Sequence, residues 1–480
     1  MNTKFKSFVS VLLICISLTA CAVGPDYKPP ETNLAPFHST MGAQGSHEAI
    51  ALDQWWKGFN DPELVKIIER ALAQNLDLQA SVARVNQARA VAHGSAAQLL
   101  PTLFVDGSVT GKRQSLEGPF GSVAKSAPGF RHSYINYVVG PVASWEIDIF
   151  GGLRRGSAAA DAEAQAAEAD QTGTRISVAA DAADAYFQIR GYQSRLDIAE
   201  QQIADDEHLL KLVHARANAG AASEREIAQA EALLKQATAS IPLLRIGLER
   251  QLNRLDVLMG VQPGTYAKEL KPVKDVASIP AISSMTPVDV LRRRPDIIAA
   301  ERRLAASSER IGQAISDYYP KVSLAALLGF DSLTSANLFK SAAFTAAGTG
   351  AIRWQILDFG KVDAEVAQAK GENAEALALY RQSVLRAAED VEDSLVTLQQ
   401  TNLHVGEVKG QVQALLKARN LSEQAYKAGA ITLTDVLHAD RELLTARDDL
   451  MAKRVDTARA AVGVFRALGG GWDQPQTNNK

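Results

Sequence analysis

Asn75-Leu76-Asp77-Leu78, running on through Arg84 to Pro101, is written a second time as Arg294-Pro295-Asp296-Ile297, running on through Arg303 to Pro320. The offset is 219 positions, the difference between 303 and 84 and between 320 and 101. Past the prolines it becomes 209. Trp145-Glu146-Ile147 and Phe150-Gly151 match Trp354-Gln355-Ile356 and Phe359-Gly360, Asp181 and Asp184 match Asp390 and Asp393, and Gly220 matches Gly429. Two registers that hold on either side of one gap indicate a duplicated unit. The first copy has a loop about ten residues longer between its proline and its tryptophan.

Each copy reads in the same order. A helix of about 35 residues ends near Gln98 or Tyr319, and a segment with Gly, Ser, Thr and aromatic residues follows, at 101–149 or 320–357. The strand and turn character of that segment predicts one hairpin per copy. A very long helical stretch comes next, from about Gly152 to Asn218 or Lys361 to Ala428, then a glycine turn and a last helix. Ile189, Leu196, Ile203 and Leu210 mark a heptad in one long stretch, as Val391, Leu398, Val405 and Val412 do in the other. At 1.5 Å per residue such a helix is on the order of 100 Å long, more than a compact domain needs. Four strands per chain cannot close a barrel, and an open strand edge is not tolerated in lipid. Three chains sharing strands would give 12, within the even counts that outer-membrane barrels use.

The N-terminus is a processing signal. Lys4 and Lys6 precede an apolar run from Phe8 to Ala20, too short to span a bilayer comfortably, and the run ends Leu18-Thr19-Ala20-Cys21. Small residues followed by Cys make a lipobox, so Cys21 is the expected lipid attachment point, with Ala22 after it. Cys15, the other cysteine, lies in the removed segment, so the mature chain has no internal disulfide. No later apolar run reaches the roughly 18 residues of a spanning helix. The net charge of −3 gives no footing for nucleic acid.

Several local patterns have structural readings. Ser223-Glu224-Arg225-Glu226 and Thr432-Leu433-Thr434-Asp435 follow Gly220 and Gly429, as capping boxes follow helix-ending glycines. Arg292-Arg293-Arg294 runs into Pro295, a helix start. Asp358-Phe359-Gly360 mimics a kinase motif without any catalytic loop. Trp145, Trp354, Tyr134 and Tyr137 suit either an interfacial girdle or ordinary packing. His208 and His214 are six apart, off the zinc-helix spacing, and Asp181, Asp184, Asp390 and Asp393 either line a lumen or pair with arginines. No HExxH, GxSxG or phosphate-loop sequence is present. An enzyme is not expected, nor a cofactor or metal.

Taken in order, Cys21-Ala22-Val23-Gly24-Pro25-Asp26-Tyr27, Trp55-Trp56, Phe59-Asn60-Asp61-Pro62, Asn75-Leu76-Asp77-Leu78, Leu99-Leu100-Pro101, the block from Trp145 to Gly151, Arg292-Arg293-Arg294-Pro295-Asp296-Ile297 with Ala299-Ala300-Glu301-Arg302-Arg303-Leu304, and Asp358-Phe359-Gly360 resemble the outer membrane factor (TolC-like) family in its efflux lipoprotein (NodT) branch. The resemblance implies a mainly α fold of two tandem repeats with a transmembrane β part. It implies a homotrimer whose 12-stranded outer-membrane β-barrel is continued by a long periplasmic α-helical barrel. It implies docking to a periplasmic membrane-fusion adaptor and an inner-membrane pump of the resistance-nodulation-division type, and contact with outer-membrane lipid. Glu226, Tyr426 and Asp435 fall at gate-forming positions of the family, near the tip turns at Gly220, Ser223, Gly429 and Thr432. His438 departs from the pattern, standing where relatives often carry a second acid, which argues against a double acidic ring and puts a pH-sensitive group in its place.

The expected function is a passive exit duct for small toxic solutes. The duct of a type I protein-secretion system and a coiled-coil envelope lipoprotein without a pore are the alternatives. The expected divisions are a signal peptide at 1–20, a lipidated linker and collar segment at 21–60, a first repeat at 61–270, a linker at 271–286, a second repeat at 287–468 and a tail at 469–480.

Overall fold

The computed structural model describes residues 22–31, 35–38, 52–266, 269–270, 279–280 and 287–473. Cys21 and the expected signal peptide at 1–20, most of the expected linker at 271–286 and residues 474–480 lie outside the described residues. A 3₁₀ turn at Leu52–Phe59 leads into α1 (Pro62–Gln74) and α2 (Leu76–Ala97), then β1 (Thr102–Arg113), a short α3 (Pro119–Ala124) and β2 (Ser133–Ile147). The long α4 (Gly152–Asn218) and α5 (Glu224–Leu258) complete the first repeat. The second has α6 (Pro287–Arg293), α7 (Pro295–Ser316), β3 (Lys321–Ser332), β4 (Phe344–Arg353), α8 (Lys361–Lys427) and α9 (Leu433–Ala467). The repeats agree in length: 22 residues in α2 and α7, 67 in α4 and α8, 35 in α5 and α9. Among the described residues, no helix is long and apolar enough to cross a membrane.

The chain divides into two compact units, one of 1–30, 86–166 and 301–379, the other of 31–85, 167–300 and 380–480. The first holds a four-stranded antiparallel sheet in the order β1-β2-β3-β4, so β1 and β4 are both edges. Thr102 pairs with Ser144 in the first hairpin and Lys321 with Arg353 in the second. The offsets 219 and 209 carry one pair onto the other, so the hairpins share one register. Where the hairpins meet, Tyr137 pairs with Ser332 and Val142 with Leu327. Between these pairs Pro141 offers no N–H, and a Cβ on Gly140 or Gly329 would strike the facing backbone.

Both hairpins are closed off by the same contact. The Trp145 indole N–H donates to the Leu99 carbonyl at 2.9 Å, and that of Trp354 to the Tyr318 carbonyl at 3.0 Å. The long helices then begin on aspartate caps. Asp148 accepts from the Leu153 and Arg154 amides, and Asp358 from those of Gly360 and Val362. This is the role of Asp358-Phe359-Gly360. A strap from Ala22 to Tyr27 crosses this unit. Val23 N donates to the Phe150 carbonyl at 3.0 Å, and the Arg155 guanidinium donates to the Val23 and Gly24 carbonyls, to Asp26 at 2.9 Å and to Glu309 at 2.9 Å. Tyr27 reaches Glu301.

The second unit carries the main apolar core. Trp55 stacks on Phe465 with centroids 5.3 Å apart, and Phe59 lies against Phe187 and Phe465. Ala179, Ala182, Ala183 and Ala185 are fully buried, and a Cβ on Gly191 would meet Val455. Small side chains thus let the helices approach closely. Asp61 caps α1 with one carboxylate oxygen and takes the Tyr186 hydroxyl at 2.6 Å with the other. Arg459 and Arg254 pair with Asp184, Arg466 with Asp181, and Arg294 forks between Asp296 and Asp390. Asp181, Asp184 and Asp390 thus pair with arginines within the chain.

Candidate functional site: the helix turns of the two repeats

Each long helix ends in the same way. Gly220 and Gly429 both have φ +75°, a left-handed conformation that side chains resist. Around the first, Ala221 N donates to the Arg216 carbonyl at 2.8 Å and Gly220 N to that of Ala217 at 2.8 Å. Around the second, Ala430 N donates to Ala425 O at 2.9 Å and Gly429 N to Tyr426 O at 2.9 Å. These paired bonds are the Schellman pattern, which satisfies carbonyls that a helix end leaves open.

The next helices begin on their own acids. Glu226 Oε2 accepts the Ser223 amide at 2.8 Å and its hydroxyl at 3.2 Å. Asp435 Oδ2 accepts the Thr432 amide at 3.0 Å and its hydroxyl at 2.7 Å. Those bonds from Thr432 hold the Asp435 carboxyl below its usual range, and His438 assists. Asp435 and His438 are exposed and Glu226 is half-buried. His208 and His214 are exposed.

Tyr426 is placed differently from these acids. It is 1% exposed, packed with Leu209, Val213, Ala230, Leu433 and Val436. The Arg216 guanidinium lies 4.4 Å from the ring centre and donates to the Tyr426 carbonyl at 2.6 Å. Burial, then the Glu226 charge, raise the phenol above its ordinary value. Its hydroxyl has no hydrogen-bond partner among the described residues. Of the residues singled out in the sequence, the turns gather Gly220, Ser223 and Glu226 in one repeat and Tyr426, Gly429, Thr432, Asp435 and His438 in the other.

Two groups escaped the sequence reading. Arg216 is one; its repeat equivalent is Ala425, and that of Tyr426 is Ala217. A break in the repeat at adjacent positions was the available signal. The second is a buried charge group. Arg419 donates to Asp440 at 2.8 Å and to Glu423 at 2.6 Å, while Asp206, 2% exposed, accepts from Gln202 at 2.8 Å through one oxygen. The other oxygen has no partner among the described residues. Burial pushes the Asp206 carboxyl up to about 6, and nearby Asp440 and Asp205 add to the effect. Among the described residues, no three His, Cys, Asp or Glu side chains are arranged to hold a metal ion.

The chain is 31% identical to the pyoverdine export outer membrane protein OpmQ of Pseudomonas aeruginosa over 97% of each chain. It is 29% identical to the toluene efflux pump outer membrane protein TtgI of Pseudomonas putida, over 98% of this chain and 100% of the other. Its fold matches the outer-membrane channel OprN with TM-score 0.82 and 32% identity, covering 94% of this chain and 100% of that one. The sequence pattern of the outer membrane efflux proteins fits it twice, at residues 67–261 and 286–470, once per repeat, and the chain belongs to that family.

Proposed function

We propose that three copies of this chain form one passive duct, a 12-stranded barrel in the outer membrane continued by a barrel of helices in the periplasm. The observation that carries the reading is the sheet. Four strands end in two unpaired edges, and every residue of β1 is exposed in the single chain. In lipid those edges must be paired, and copies of the same sheet supply what is missing. A passive duct has no energy source of its own, and the chain belongs to the outer membrane efflux proteins. The duct therefore receives solutes from an inner-membrane pump of the resistance-nodulation-division type through a periplasmic adaptor. Export and efflux relatives named for pyoverdine and toluene support small solutes as cargo. Cys21 carries the lipid that adds a second hold on the membrane.

The glycine turns form the periplasmic gate in this reading. Threefold symmetry turns Asp435 and Glu226 into rings of like charge, which focus a negative potential on the axis. The decisive experiment is single-channel conductance of the purified protein in planar bilayers, with Asp435→Ala and Glu226→Ala beside wild type. A small cation-preferring conductance that rises in the variants supports duct and gate together. Equal conductance in all three keeps the duct and reduces those acids to helix caps. A folded monomer that never conducts returns the chain to a coiled-coil spacer.

A further inference from the structure

We infer that neighbouring copies join β4 to β1 in one register, with Arg353 directly opposite Asp106 of the partner subunit. The inference rests on the trimer proposed above and fixes how its seam closes. It follows from the repeat. The offsets that superimpose the two hairpins carry β2 onto β4 and β3 onto β1. The pairing of β2 with β3, already present inside the chain, therefore has an image in which β4 pairs with β1. Within one chain those two strands are the opposite edges of the sheet, so the image can be made only with a second copy. The observed pair Ser144↔Ala325 becomes Arg353 opposite Asp106, because 144 and 209 give 353, and 325 less 219 gives 106. In the same way Val142↔Leu327 becomes Ala351 opposite Ser108, and Val138↔Asp331 becomes Ala347 opposite Lys112.

Three further observations agree. The first is facing. Along β1, Phe104, Asp106, Ser108, Thr110 and Lys112 share one face and Leu103, Val105, Gly107, Val109 and Gly111 the other. Along β4 the polar residues Thr345, Thr349 and Arg353 share a face, and Phe344 and Ile352 the opposite one. The inferred register sets the polar faces side by side; a one-residue slip would set polar against apolar. The second is charge. Within the chain Arg353 stands opposite Lys321, a like charge that already pairs with Asp317 at 2.8 Å. Among the described residues neither Arg353 nor Asp106 has an ion-pair partner, and the seam supplies each with one. The third is exposed apolar surface. Phe150 stacks on Tyr319 with centroids 4.6 Å apart. The image of that contact joins Phe359 to Leu100 of the partner subunit, and these side chains are 93% and 64% exposed in the single chain. β4 also stops at Arg353 whereas β2 runs on to Ile147, whose image is Ile356. Residues 354–356 lack the strand that would extend them.

The test uses the full-length protein in which Cys21 is the only native cysteine of the mature chain, so engineered pairs report cleanly. Arg353→Cys with Asp106→Cys, and Ala351→Cys with Ser108→Cys, should oxidise to covalent trimers. Frame-shifted pairs, Arg353→Cys with Ser108→Cys or with Phe104→Cys, should give about a tenth as much, since cysteines two residues out of step exceed disulfide reach. A charge exchange covers the case in which cysteine pairs fold poorly. Asp106→Arg and Arg353→Asp should each weaken the trimer in detergent sedimentation, and the double exchange should restore it. Trimers that cross-link best in a shifted frame, or charge variants that do not rescue one another, overturn the register alone. A folded wild-type protein that sediments as a monomer overturns the trimer, and the seam with it.

Discussion

Arg216, two residues before the end of one long helix, closes the turn of its own repeat with its backbone and the turn of the other repeat with its side chain. Its carbonyl accepts the Ala221 amide, and its guanidinium both donates to the Tyr426 carbonyl and covers the Tyr426 ring. One residue therefore ties the two glycine turns into a single body.

Replacing Arg216 with alanine removes a charge-assisted hydrogen bond and a cation–π contact, together about 2 kcal/mol. Amide exchange around Val213 and Val436 should accelerate by about thirtyfold, as that energy implies, while the core around Trp55 keeps its protection. Arg216→Lys keeps the charge without the planar stack and should fall between. Equal exchange in Arg216→Ala and wild type would show that the turns are held by their Schellman bonds alone.

Asp206 sets a pH dependence whose sign follows from its raised value. The folded chain holds a proton on this carboxyl up to about pH 6, whereas the unfolded chain releases it near the ordinary value of 3.8. The folded form therefore loses stability as pH rises through that window and is at its full disadvantage above it. Asp206→Asn can still accept from Gln202 and carries no charge. It should raise the melting temperature at pH 7.5, by about 1–3 kcal/mol in stability terms, and have little effect near pH 4. A gain that is the same at both pH values would place the effect in packing and not in titration.

Gly220 and Gly429 have open space where a Cβ would go, so alanine there is resisted by the backbone conformation alone. Each substitution should cost about 1 kcal/mol, and the two costs should be alike because the turns share one φ. Denaturant midpoints of the two single variants provide the comparison. A much larger cost at one turn would mean that a neighbouring subunit fills the space beside it.

The two tryptophan bonds make a paired prediction at the junction of strands and helices. Trp145→Phe and Trp354→Phe each remove one indole N–H from a carbonyl it reaches at about 3 Å and keep most of the ring. Each should cost about 1 kcal/mol. Loss of stability in one variant only, measured by thermal unfolding in detergent, would argue that the repeats are alike in geometry but not in energetics.

How much of this was legible follows from where the information lies. The duplication, the glycine turns and the position of both strand segments are written in local residue types and constant offsets, which is why helices of equal length follow from the text. The Ser223 and Thr432 boxes are equally local. Tyr426 was legible as a special residue but not as a buried one, since burial under Arg216 depends on which face of α4 meets the turn of α8. Asp206 was illegible for the same reason. An aspartate two residues before His208 in a charged stretch reads as solvated until a third helix covers it. The rule that would have found Arg216 is to look for positions where one repeat has a large residue and the other alanine.

The strap has a consequence for the order in which the chain becomes itself. Tyr27 and its partner Glu301 are 274 positions apart, and Arg155 joins Asp26 to Glu309. Contacts so distant in sequence are slow to close, because a long loop must be ordered before they repay it. Val23, Gly24 and Asp26 can meet Phe150 and Arg155 early, but the contacts of Tyr27 with Glu301 and of Arg155 with Glu309 must wait until nearly two-thirds of the polypeptide is made and α7 arrives. Those last contacts act as a latch, fastening the first-made end of the chain to a helix of the second repeat made much later.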